Sequence, residues 1–216
     1  MTPQRTIDVV LLGFGEPDGA SPDETRAYLE RIFMANARLE EGLTAEQRRA
    51  RCRELAARRA PGLQADYERI GGSPLLAQCR AQAAALGAAL AARGVVARIR
   101  VAMQFTPPFI EDVAVDCAAA GAERVIAVPL YPLCGASTTV AALDALEAAL
   151  APWPTVRLAA LSGWHAHPAC VEAVATVVRD AMVASGADLA SPGTLLYFSA
   201  HGTPLKYLRE GSRYDR

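Results

Sequence analysis

Arg124-Val125-Ile126-Ala127-Val128-Pro129 decides the fold. The run is continuously apolar between a charge and a proline, with no polar residue to face water on either side. Strands of this kind lie in the middle of parallel sheets, where both faces are covered. Outward from it, strands and helices alternate in both directions. Ile7-Asp8-Val9-Val10-Leu11-Leu12 reads as a first strand. Val95 to Met103 reads as a second; its Ala97, Ile99 and Val101 alternate with Arg98 and Arg100, which suits a position near an edge. Thr155 to Leu161 is a further strand, and Thr194-Leu195-Leu196-Tyr197-Phe198 reads as a buried strand, the last, ending at Ser199.

Helices fill the intervals. Ser21 can cap a helix, Pro22 suits its first position and Glu24 completes a capping box. A charged helical stretch spans about Thr44 to Ile70, where Gly71-Gly72-Ser73-Pro74 interrupts it. Ser73-Pro74 restarts a helix that runs to about Arg93. Pro107-Pro108 starts another, ending near Gly121, and Thr138 to Leu150 and Pro168 to Ala184 complete the set. Five strands separated by helices predict an α/β fold with a doubly wound, mainly parallel sheet and right-handed crossovers. The chain carries no visible repeat or low-complexity linker.

Bulk properties narrow the function. A chain of 216 residues holds one large domain, or one domain and part of another. With 52% hydrophobic and 21% charged residues it has the balance of a globular protein with a core. A net charge of -1 argues against a nucleic-acid partner. The basic run from Arg48 to Arg59 alternates with Glu46 and Glu54 and reads as a solvated helix face. The five cysteines (Cys52, Cys79, Cys117, Cys134 and Cys170) are odd in number, widely spaced and free of C-x-x-C. They indicate neither a disulfide framework nor a zinc site, and a cytosolic protein with reduced thiols is expected. No segment reaches the length of a membrane span.

Four segments could carry chemistry. Gly13-Phe14-Gly15-Glu16-Pro17-Asp18-Gly19 follows the first strand and superficially resembles a dinucleotide fingerprint. Its spacing is wrong, Glu16 and Asp18 would repel a pyrophosphate, and the helix starts too late to offer its N-terminus. A tight turn and no nucleotide is the reading. Pro129 to Thr139 is a long, mostly apolar loop leading into a helix capped by Ser137 or Thr138. Loops normally run over wet surface, so a hydrophobic ligand or a covering domain is expected against it. Trp164-His165-Ala166-His167-Pro168 has an H-x-H pair, but no neighbouring ligand completes a metal set, and His167-Pro168 suits a helix start. His201, in Ser199-Ala200-His201-Gly202-Thr203-Pro204, sits at the tip of the last strand, the edge where open α/β sheets bind ligands. An imidazole there can be a base, an acid or a metal ligand near neutral pH. Taken alone, it is equally a hydrogen-bonded loop histidine.

Five ordered segments together resemble the ferrochelatase family, whose members insert ferrous iron into a porphyrin at the end of haem synthesis. Leu11-Leu12-Gly13-Phe14-Gly15-Glu16-Pro17 is similar to the family's first strand and glycine turn. Tyr67-Glu68-Arg69-Ile70-Gly71-Gly72-Ser73-Pro74-Leu75 is close to its Y-x-x-I-G-G-x-S-P-L. Pro108-Phe109-Ile110-Glu111-Asp112 resembles P-F-I-E-D. Pro129-Leu130-Tyr131-Pro132 with Ser137-Thr138-Thr139 matches P-L-Y-P followed by S-T-T, and Ser199 to Pro204 matches S-A-H-G/S-L-P. Each is weak alone, but five in order are specific.

The resemblance implies two Rossmann-like halves with a porphyrin cleft between them. His201 would be the catalytic proton acceptor and the ligand of the incoming Fe²⁺. Substrate contacts would fall on Phe14, Tyr67, Ser73, Tyr131, Ser137 and Thr138. Residues 1–190 would form the N-terminal α/β domain. Residues 191–216 would carry the last strand and the histidine loop and begin the crossover to a second half absent from this chain. That half would supply a glutamate facing the histidine, a final helix and, in some members, iron–sulfur cysteines. Iron is thus the substrate metal and protoporphyrin IX or coproporphyrin III the substrate. A peripheral membrane contact is compatible with this, and no oligomeric state is read. Some motifs differ. Phe14 stands where many members have Tyr or Met. Met103-Gln104-Phe105-Thr106-Pro107-Pro108 stands for M-R-Y-W-H-P, Leu133 for the Gln of Y-P-Q, and Gly211-Ser212-Arg213-Tyr214 for G-D-P-Y. These differences bear on porphyrin choice. They leave two other expectations in view: a tetrapyrrole-binding protein that inserts no metal, and a chelatase for another ring or metal.

Overall fold

A computed structural model describes residues 7–17, 21–36, 42–209 and 212. Asp18 and Gly19 of the glycine turn, and Gly211, Arg213 and Tyr214 of the terminal motif, lie outside the described residues. Four strands form one parallel sheet: β1 (Ile7–Gly13), β2 (Arg98–Met103), β3 (Arg124–Pro129) and β4 (Arg157–Ala160), in the order β2-β1-β3-β4. The apolar run Arg124–Pro129 is an inner strand, and the Arg-alternating β2 is an edge, as expected. Parallel register sets Val10 level with Arg100 and Ala127, and Leu12 level with Ala102 and Pro129.

Level residues share a face, so periodicity decides the layers. Val10, Leu12, Ala102, Val125 and Ala127 face α4 (Ile110–Ala119) and α5 (Ala141–Leu150). Ile110, Val113, Ala114, Cys117, Leu146 and Leu150 complete that core. On the sheet's β2 side α3 (Leu75–Ala91) packs against β1 and β2, close enough at Gly87 that an added Cβ would lie 3.4 Å from Ile99. The doubly wound expectation therefore holds. The helix pair α1 (Pro22–Asn36) and α2 (Ala45–Ile70) packs Tyr28, Leu29, Ala56 and Ala60 around Phe105. On α2, Cys52, Ala56 and Ala60 recur every four residues and are buried, while Arg51, Arg53, Arg58 and Arg59 are exposed. The basic run is a solvated face.

Helix ends follow local chemistry with two adjustments. The backbone N–H of Glu24 donates to Ser21 Oγ at 3.5 Å. The reciprocal box lies instead at Thr44, which caps α2 through Gln47. Between β3 and α5 the chain makes a wide π-type turn, Ala136–Val140, entered from Gly135, so neither Ser137 nor Thr138 caps the helix. His167 caps α6 (Pro168–Ser185), its Nδ1 accepting from the Ala169 N–H at 3.2 Å. A short α7 (Leu205–Arg209) follows His201.

The fifth strand is the main departure. Residues 194–204 have no regular structure, and Leu195, Tyr197 and Phe198 are 84%, 81% and 74% exposed. A strand forms only where its N–H and C=O groups find a ladder. Among the described residues no strand pairs with this segment, so its apolar composition alone does not make it a strand. The sheet has four strands rather than five.

Asp8 is the one charged residue of β1, and it is fully buried. Register places it beside Arg98, with Arg100 one pleat on. Arg98 grips it with two bonds, Nε to Oδ1 at 2.7 Å and Nη2 to Oδ2 at 2.8 Å, and Arg100 adds Nε to Oδ1 at 3.2 Å. Arg98 also donates to the Ala120 carbonyl at the end of α4. Burial pushes the Asp8 carboxyl pKa up, but the two guanidiniums outweigh it and hold it below the ordinary 3.8. The cationic side of the β2 alternation is therefore a clamp on a buried acid.

At the other end of the sheet, the Gln104 N–H donates to Gly13 O and the Phe105 N–H to Phe14 O, both at 3.0 Å, so the β1–β2 pairing continues into the glycine turn. Gly15 has φ +86° there, and a Cβ would lie 2.9 Å from the Thr106 backbone nitrogen.

Asp8→Asn should lower the unfolding free energy by about 2–3 kcal/mol, because two guanidiniums lose their counter-charge. Because the folded pKa is depressed, the parent's stabilisation is complete above the unfolded value and is lost as pH falls through the folded one. Urea titrations between neutral and acid pH should show that acid limb in the parent and not in the variant. Gly15→Ala should cost about 1–3 kcal/mol in the same assay, whereas a parent-like midpoint would remove the steric claim.

Candidate functional site

Three connections meet at the carboxyl edge of the sheet. The β1 turn presents Phe14, whose ring stands edge-on to Phe105 with centroids 4.6 Å apart. The loop after β3 is fixed to β1 by the Leu130 N–H on Leu12 O at 2.8 Å. The Trp164 indole N–H donates to Pro129 O at 2.9 Å, and the His165 backbone N–H to Pro132 O at 3.2 Å. The W-H-A-H-P segment thus braces the apolar loop and starts α6. Inside the loop Thr139 is fully buried and donates to Leu133 O, and Thr138 donates to Gly135 O.

These elements enclose a cavity of about 710 Å³, within the size range of small-molecule sites. Phe14 lies on its β1 side, Ile32 and Asn36 come from α1, and Tyr131, Ser137 and Thr138 come from the β3 loop. His201 to Pro204 and Tyr207 form the remaining wall. Of the residues singled out from sequence, Phe14, Tyr131, Ser137, Thr138 and His201 are brought together here across almost the whole chain.

Tyr131 offers the cavity its ring rather than a free hydroxyl. Its OH donates to Gln104 Oε1 at 2.7 Å, and burial, with Cys79 and Tyr28 nearby, pushes its pKa far up, so it stays neutral. Gln104 therefore supports Tyr131.

Tyr67 and Ser73 are not among the residues lining this cavity. Ser73 donates a short hydrogen bond to Glu16 and accepts the Leu75 N–H, which starts α3. Tyr67 is buried, bonded to Glu16 and Tyr28, and its pKa is pushed up to about 12 by burial first and by the Glu16 charge second. Both hold Glu16, and through it the turn that carries Phe14. Glu16 borders a second cavity of about 460 Å³, with Asp23, Glu24, Arg31 and Thr106 on its wall.

Sequence reasoning missed Ile32, Asn36, Thr203 and Tyr207. Tyr207 could have been suspected as an aromatic six residues after His201. Asn36 carries no local signal, since its partner Tyr207 is 171 residues away.

A family model described as Ferrochelatase matches residues 6–216. A protein named Ferrochelatase from Gloeobacter violaceus is 30% identical over 217 residues, covering 97% of this chain and 64% of its own length. One of the same name from Caulobacter vibrioides is 32% identical over 225 residues, covering 98% of this chain and 59% of its own. A third, from Nitrosococcus oceani, is 35% identical over 147 residues, covering 68% of this chain and 39% of its own. The chain thus spans less than two thirds of the length of the relatives it matches. With a parallel α/β sheet, the ordered motifs gathered at its carboxyl edge and the family pattern running from residue 6 to residue 216, this chain belongs to the ferrochelatase family.

Proposed function

We propose that this chain supplies the porphyrin-facing histidine side of an enzyme that inserts Fe²⁺ into protoporphyrin IX or coproporphyrin III, a step of haem synthesis. One observation carries the reading: His201 shares a single cavity with Phe14, Tyr131 and the Ser137–Thr138 turn. Residues 1–190 act as the N-terminal α/β unit, and residues 191–216 carry the histidine and lead toward a second half. A cytoplasmic location belongs to the same reading. Among the described residues no helix is long and apolar enough to cross a membrane.

The chemistry needs a flat apolar surface, a proton acceptor and a path for the metal. Phe14, Tyr131, Pro132 and Leu133 offer aromatic and aliphatic surface to a macrocycle. Two pyrrole N–H protons must leave as the metal enters. The His201 imidazole, in its neutral form, accepts one of them while the other leaves to solvent, or it holds the incoming Fe²⁺ while both leave to solvent, help of a kind that contributes about 10²- to 10⁴-fold. Ser137 presents a hydroxyl that can donate to a carboxylate on the ring's edge, and Thr138, whose hydroxyl donates to Gly135 O, lines the cavity beside it. Tyr131, neutral and bonded to Gln104, keeps the wall beside them uncharged. Binding the ring in a puckered shape that exposes its nitrogen lone pairs supplies the rest.

A second reading, tetrapyrrole binding without insertion, draws on Phe14, whose side chain has no ligating atom.

Porphyrin titration followed by absorbance, with and without Fe²⁺ under anaerobic conditions, separates these. In a protein that carries out insertion, His201→Ala should reduce the rate by about 10²- to 10⁴-fold while porphyrin still binds. Parent-like insertion in that variant would sink the role of His201. Tight porphyrin binding with no insertion, in this chain and in a version extended to the length of its relatives, would favour the second reading.

A further inference from the structure

His201 lies in a stretch that makes no strand, yet the cavity requires it at a defined place. Residues 194–204 are irregular and largely exposed, whereas Tyr207, six residues after His201, is 3% exposed. The link between them is short. Pro204 has a fixed φ, and the Tyr207 N–H donates to Pro204 O at 3.0 Å, closing the turn into α7. Wherever Tyr207 is held, His201 is held nearby.

The phenol reaches across the sequence to do so. Tyr207 OH donates to Asn36 Oδ1 at 2.8 Å, joining residues 171 apart. Asn36 ends α1, and its Nδ2 donates to the Ile32 carbonyl at 2.9 Å within that helix. That bond uses the amide's donor side and orients the amide, which leaves the oxygen aimed at Tyr207. Ile32, Asn36 and Tyr207 all line the same cavity as His201. From this geometry we infer that the Tyr207–Asn36 hydrogen bond is a clasp that sets the position of His201 across the cavity from Phe14. Tyr207 and Asn36 are thus positioning residues for the histidine. This rests on the reading of His201 as the residue that works on a bound tetrapyrrole.

The clasp acts on a wall rather than on the core. The sheet is held by its own ladder and by the Asp8 clamp. Loss of the phenol hydroxyl should therefore loosen residues 201–209 and leave β1 and β3 unchanged. One neutral hydrogen bond of this kind corresponds to about a five- to tenfold effect.

The test uses the 216-residue chain with Tyr207→Phe, Asn36→Ala and the double variant. Protoporphyrin IX titration and amide hydrogen exchange are the two readouts. The expected result has three parts. Each single variant loses about five- to tenfold in porphyrin affinity. The double variant loses no more than either. Exchange accelerates over residues 201–209 and not in β1 or β3. Losses that multiply in the double variant, faster exchange throughout the sheet, or parent-like affinity and exchange would each overturn the clasp. If the parent takes up no porphyrin, the proposed function fails, and exchange alone decides. Acceleration confined to residues 201–209 in all three variants then supports the clasp, and unchanged exchange refutes it.

Discussion

The hydrogen-bond ladder of β1 does not stop where the strand stops. Leu12 receives Leu130 on one side, and Gly13 and Phe14 receive Gln104 and Phe105 on the other. This continuation fixes three connections relative to one backbone. The glycine turn, the segment after β2 and the loop after β3 are each placed by main-chain bonds, which a side-chain change does not remove. Phe14, Gln104 and Tyr131 inherit their positions from it. At the opposite end of the same strand Asp8 is clamped by Arg98 and Arg100, so β1 is fixed at both ends of its length.

Polar groups around the site serve mostly as supports. Gln104 takes the Tyr131 hydroxyl, Ser73 and Tyr67 hold Glu16, and Trp164 holds Pro129. A wall left apolar and neutral suits a flat, weakly polar ligand, because burial of apolar area dominates and little charge must be desolvated. Ser137 and Thr138 both reach the lining, but Thr138 also donates to Gly135 O, and Thr139, next in sequence, is fully buried and donates to Leu133 O. Three adjacent residues of similar chemistry thus have different fates, decided by which way the wide turn points each one.

The two sides of the cavity are built differently. Its β1 and β3 sides are built on an inner pair of strands. The His201 side is a strandless stretch fastened through α7 to the end of α1. Apolar surface is exposed on that side, with Val171, Val174 and Val177 of α6 at 56%, 53% and 69% and Phe198 at 74%. The relatives in the comparison have substantial length beyond the part this chain matches.

Much of this was legible in the sequence. Continuous apolar runs gave the parallel strands, the Arg alternation gave the edge, and Gly, Pro and Ser/Thr signals placed most helix ends to within a few residues. These features depend on near neighbours and on which face is wet, which sequence records directly. Family motifs picked out Phe14, Tyr131, Ser137, Thr138 and His201, which share a cavity, and also Tyr67 and Ser73, which instead hold Glu16. The tertiary structure decided the remainder. Asp8 is a lone charge in an apolar strand, and its partners Arg98 and Arg100 stand 90 and 92 residues on. Leu195 to Ser199 had a strand's composition but found no ladder. Asn36 became part of the site only because a phenol 171 residues away reached it. Composition sets what a segment can bury, but hydrogen-bond partners distant in sequence decide whether it is a strand, a support or a wall, and those partners exist only once the chain has folded.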